Sequence, residues 1–129
     1  MNENIEGGAT TFEEAMQARM ERVTREGKAR NKLTDFVKVA IRQLRADVEG
    51  HGGEMRILQA PGFMHEHVVA GIMVRFPPEK RLEDAHITLD LSRMDQIDGE
   101  TRYLFSANDH KAPVESHEQA MQVIYEALK

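Results

Sequence analysis

Between Phe63 and Phe76 the chain reads FMHEHVVAGIMVRF, an alternation that fits a strand of a sheet and little else. Met64, Val68, Ala70, Ile72, Val74 and Phe76 fall on one face at the two-residue period of a half-buried strand. The opposite face begins polar at His65 and His67 and turns apolar at Val69, Gly71 and Met73. A strand of this kind needs full cover on one side and partial cover on the other. Everything else in the 129 residues is read as supplying that cover.

The neighbouring segments predict an antiparallel meander. Met55 to Ala60 reads as a short strand closed by the turn pair Pro61-Gly62, and the central strand is stopped by Pro77-Pro78. Ala85 to Leu91 is a third strand, with Ile87, Leu89 and Leu91 inward. Asp98-Gly99 is a hairpin signal, followed by a fourth strand over 100–107 carrying Tyr103 and Phe105. A three-residue loop with Gly99 left-handed sets Leu91 opposite Phe105, and so keeps both aromatics on the leucine face. Residues 108–112 read as a loop.

Three helices flank these strands. Leu33, Phe36, Val37, Ala40, Ile41, Leu44 and Val48 lie on one helical face, and Gly50-His51-Gly52-Gly53 ends the helix near 31–49. A final helix over 113–128 starts near Pro113, or at Ser116 as N-cap with Gln119 as capping-box partner, and buries Ala120, Val123, Ile124, Ala127 and Leu128. An N-terminal helix over 12–26 begins at Thr10 or Thr11, with Glu13 or Glu14 three residues on. Its stripe is Phe12, Met16, Met20 and Val23.

Gly27, and the lack of any apolar anchor but Ala29 between Val23 and Leu33, predict a break before the second helix. One feature crosses that break. Met16, Val23, Arg30, Val37 and Leu44 are seven apart, as are Met20, Gly27, Thr34, Ile41 and Val48. A continuous helix would run about 57 Å at ~1.5 Å per residue and would pair with another chain. Gly27, Arg30 and Thr34 are poor at such positions, so two helices are the expectation. The fold predicted is therefore α+β. A four-stranded antiparallel meander (55–60, 63–76, 85–91, 100–107) is packed by helices 31–49 and 113–128 in two layers, with helix 12–26 in addition. Residues 1–10 are expected to be a disordered lead-in to one domain over 11–129, with 11–28 protruding or dimerising.

Composition narrows function. No cysteine is present, which removes disulfides, thiolate catalysis and thiolate metal sites. The N-terminus shows no signal-peptide pattern and no apolar run reaches a membrane span, so a soluble cytoplasmic protein is expected. The net charge of −5 hides a division. Residues 19–45 carry nine bases against three acids, and residues 46–129 eight against fifteen. Arg19, Arg22, Lys38, Arg42 and Arg45 are thus candidates for an acidic partner, nucleic acid being the alternative to protein.

Catalytic and metal chemistry find less support. His65-Glu66-His67 sets two imidazoles on one strand face, but a third ligand is missing and no metal or other cofactor is expected. Pairing the strands through the 77–84 loop puts Arg75 opposite His86 and Asp90 opposite Gly71, at best an anion patch or a small enzyme site on the outer sheet face. Ser92, Ser106 and Ser116 sit in no nucleophile motif, and EGHGGEM lacks the lysine of a phosphate loop. The expectation is a non-enzymatic protein, adaptor, chaperone-like or inhibitor, that binds another protein and forms a homodimer. Met16, Met20, Val69 and Met73 are its candidate contacts.

Overall fold

The alternation at the centre of the chain does form a strand, although a shorter one than its pattern suggests. A computed structural model describes residues 10–95 and 101–129. The element order is helix α1 (Phe12–Gly50), strands β1 (Glu54–Met64) and β2 (His67–Arg75), a 3-10 turn (Pro78–Lys80), strands β3 (Ala85–Asp95), β4 (Thr101–Ala107) and β5 (His110–Val114), then helix α2 (His117–Leu128). The strands form one antiparallel sheet in the order β1-β2-β3-β4-β5. The fold is α+β with an antiparallel meander, of five strands where the sequence suggested four. The chain divides into two compact units at Asn31/Lys32, with α1 crossing the division.

In the second unit the sheet buries one face. Val68, Ala70, Ile72 and Val74 of β2, Ile87, Leu89 and Leu91 of β3, and Phe105 and Ala107 of β4 join one core with Leu33, Val37, Ala40, Ile41 and Leu44 of α1. Ala120, Met121, Val123 and Ile124 of α2 belong to the same core. The helical spacing that predicted the 33–48 stripe is what places those side chains together. Phe36 and Tyr103 add a tilted aromatic contact, with centroids 5.9 Å apart at 53°.

Four features differ from expectation, each for an identifiable reason. The break at Gly27 does not occur, and α1 is uninterrupted from Phe12 to Gly50. A helix-interior glycine costs only about 1 kcal/mol, less than nucleating a second helix. Glu21/Arg25 and Glu26/Arg30 also support the segment as acid-before-base pairs four apart.

Pro61-Gly62 is not a turn. β1 runs through it with irregular register between Ile57 and Gln59 and between Gln59 and Gly62, and the hairpin turns at His65-Glu66, where His65 has φ of 57°. Proline is tolerated because β1 is an edge strand. For the same reason Pro113 sits in β5, the other edge, opposite Leu104, where a loop and a helix start were expected. Asn108 makes that hairpin: with φ of 54° it turns the chain, accepts from Thr88 N at 3.0 Å and donates to His86 O at 3.1 Å.

The fourth difference is register. Met73, not Arg75, opposes His86, and Val69, not Gly71, opposes Asp90. The Leu91–Phe105 pairing is as expected, while the turn at Asp98-Gly99 and the lead-in over 1–9 lie outside the described residues. Ser116 caps α2 as read from sequence. Its side chain accepts from Gln119 N at 3.3 Å, and Gln119 Oε1 accepts from Glu115 N at 2.6 Å.

Candidate functional site

In the first unit Thr11 starts the helix by accepting from Glu14 N at 3.1 Å and donating to Glu14 Oε1 at 3.0 Å, so the cap expected at Thr10 or Thr11 is Thr11. The helix it launches carries its apolar residues in the open. Phe12 is 81%, Met16 47%, Met20 58% and Val23 56% exposed. Their three- and four-residue spacing makes a single stripe rather than scattered singletons. Gln17 Nε2 donates to Glu21 Oε1 at 3.2 Å and Thr24 Oγ1 to Met20 O at 2.9 Å, both within the helix itself. Arg19 and Arg22 are also exposed. A contiguous apolar stripe facing water is the surface most in need of a partner.

In the second unit the other candidate contacts are placed differently. Val69 is half-buried, and Met73 is buried although it stands on the sheet face away from the core, between Arg56 of β1 and His86 of β3. Gly71 lies under Gln59, whose Cβ would be 3.4 Å from a Cβ at position 71. Met73 is thus covered and Val69 partly so, and the stripe is less open than its sequence suggests. Exposed apolar residues of the sheet are found instead on β1, at Ile57, Leu58, Phe63 and Met64.

The outer face brings His67 and Asp90 together, Nδ1 to Oδ1 at 2.9 Å, a pair that sequence reasoning missed because it set the β2–β3 register two residues off. Arg75 does not meet His86. It lies 3.5 Å from both Glu54 Oε1 and Asp84 Oδ1. His65 is in the turn, so His65 and His67 are not the two same-face imidazoles of one strand. Among the described residues no group of three His, Asp or Glu side chains converges as metal ligands do.

A cleft of about 490 Å³ opens where the ends of α1, β2 and α2 meet. Leu44, Val48, Val74, Phe76 and Leu128 line it, and the Tyr125 hydroxyl donates to Asp47 Oδ2 at its edge. Burial, then the hydrogen bond to Asp47 and the charge of that carboxylate, push the Tyr125 hydroxyl up to about 12. Below pH ~10 both folded and unfolded chains keep this proton; between ~10 and about 12 the unfolded chain releases it first, so stability falls as pH rises through that window. Tyr125→Phe is expected to remove the ionisation near pH 12 from a 295 nm absorbance titration and to flatten stability across that window. If the ionisation lost in Tyr125→Phe lies near ~10 rather than near about 12, the Asp47 contact is contradicted. No sequence signal could have found this pair, because its members stand 78 positions apart on two helices.

The basic candidates of the second unit lie on the solvent side of α1. Lys38 and Arg42 are exposed and Arg45 half-buried, spaced at 0, 4 and 7 on one helical face, and none makes a salt bridge among the described residues. No helix among the described residues is long and apolar enough to cross a membrane. Comparison of the chain with protein-family models, with curated proteins and with solved structures finds no match.

Proposed function

We propose that the protein works by binding protein, with the stripe Phe12, Met16, Met20 and Val23 as its contact surface and a second copy of the chain as its first partner. The observation that supports this reading is the exposure of four large apolar side chains on one face of an unbroken helix. Burying a methionine or valine from such a face contributes about 1.5–3 kcal/mol, so three or four of them can sustain association. Methionine also adapts to more than one opposing surface, as suits an adaptor or a chaperone-like protein.

Light scattering on the full chain from 1 to about 300 µM tests it. The mass should rise above 14.7 kDa toward twice that value. The variant Met20→Glu/Val23→Glu should stay at 14.7 kDa with its circular dichroism intact, because charges at two stripe positions resist burial. Wild-type protein that remains a monomer across the range would end the homodimer reading.

A second reading rests on Lys38, Arg42 and Arg45, whose spacing suits successive phosphates of a nucleic acid. DNA or RNA retention that fades steeply between 50 and 200 mM salt, and is lost in Lys38→Glu/Arg42→Glu, would move the assignment to that class.

A further inference from the structure

The order of charges and side-chain sizes along residues 12–31 says how two copies would pair. We infer that the helices associate antiparallel, about a two-fold axis passing between Glu21 and Arg22. This rests on the reading of the stripe as a protein-binding surface. Met20, Gly27 and Thr34 take one core position of a heptad, and Met16, Val23 and Arg30 the other. Antiparallel pairing about that axis sets Met20 against Val23 of the other copy at the centre, and Met16 against Gly27 one layer out. Glu13 then meets Arg30 at each end. Large faces small and acid faces base in the outer layers, and symmetry repeats every contact, as an isologous interface requires.

The flanking positions agree. Arg19 and Glu26 stand beside the core on the same side, and in this register each faces the other across the axis. On the opposite flank Gln17 faces Thr24, with no charge to conflict. Sliding one helix by a heptad in either direction brings Arg19 onto Arg19 or Glu26 onto Glu26, so charge selects a single register. Parallel pairing loses these advantages. It stacks Gly27 on Gly27, leaving a void, and Arg30 on Arg30, placing like charges together in the seam.

Gly27 carries independent weight. Among the described residues a Cβ built on it would meet nothing within 4 Å, so no described neighbour requires a glycine there. Glycine nevertheless stands in mid-helix, where alanine is the better residue. A methionine of a second helix packing over position 27 gives that choice a reason.

Two measurements on the full chain test the pairing. Arg19→Glu and Glu26→Arg should each weaken self-association about tenfold at low salt, since each substitution turns two attractive contacts into repulsive ones. The double variant Arg19→Glu/Glu26→Arg should return to within about twofold of wild type. The chain has no cysteine, so single thiols can be placed cleanly. Met16→Cys and Gly27→Cys proteins should form an interchain disulfide when mixed and oxidised, and neither should do so alone. Met16→Cys linking efficiently to itself would overturn the antiparallel arrangement while leaving self-association through the stripe intact. Failure of the double charge variant to recover would overturn the register. A wild-type chain that is monomeric throughout would overturn both this pairing and the homodimer on which it rests.

Discussion

Phe105→Ala is expected to lower unfolding free energy by about 3–5 kcal/mol, the usual result of emptying a buried aromatic site. Phe105 is the largest fully buried side chain among the described residues. It is opposite Leu91 on β3 and Ala112 on β5, and it belongs to the core that both helices join. No single neighbour can collapse into the space it leaves, because sheet and helices fix the walls. Total stabilities of small domains run to about 5–15 kcal/mol, so the loss is a large share. Urea denaturation followed by circular dichroism gives the measurement. Leu58→Ala is the control: that residue is 57% exposed on an edge strand and should shift the midpoint little. If the two substitutions cost the same, the assignment of the sheet's buried face is wrong.

The alternation around Val68 to Val74 was legible because burial on one face leaves a period-two pattern that little else produces. The same holds for Leu33 to Val48, where one helical face meets the sheet, and for Ser116 with Gln119, where capping chemistry is local. What sequence did not show depends on context. Pro61 and Pro113 signal turns in isolation, yet a proline at a sheet edge costs no ladder bond, and being at an edge is a property of the whole sheet. The turn at His65-Glu66 carries no glycine, so nothing marked it. Treating the 77–84 loop as a simple link sets the β2–β3 register two residues from the observed one. A shift of two keeps every side chain on its own face, so burial could not reveal the error. It did hide the pairing of His67 with Asp90.

The candidate surface divides in the same way. Met16 and Met20 were identifiable from spacing alone, and they are exposed. Val69 and Met73 sit on a strand face that reads as uncovered in sequence, and nothing in the sequence assigns Arg56 and His86 to the positions opposite Met73. The unbroken helix is the other gap. Heptad phase persisted across Gly27 in the sequence, and the helix follows that phase rather than the local propensity of one residue.

Gly53→Ala is expected to cost about 2 kcal/mol, in the middle of the range for overpacking. The end of α1 is closed by Gly52, left-handed at φ of 85°, with Gly52 N donating to Glu49 O at 3.1 Å and Gly53 N to Val48 O at 2.9 Å. That arrangement drives the next residue against the sheet. A Cβ at position 53 would lie 2.6 Å from Arg75 O and 2.9 Å from Val48 Cγ1. The first obstacle is backbone of β2, and it cannot rotate away. Relief requires moving either the helix end or the first pair of the β1–β2 ladder, Glu54 with Arg75. Gly52→Ala meets no atom within 4 Å and bears only the left-handed penalty of about 1 kcal/mol. Comparing the two by chemical denaturation separates steric contact from backbone conformation. If Gly52→Ala proves the worse, the close approach of helix end to strand does not hold. If Gly53→Ala is worse, one crowded glycine fixes where α1 stops relative to β1 and β2, and with it the phase in which Leu33 to Leu44 meet the sheet.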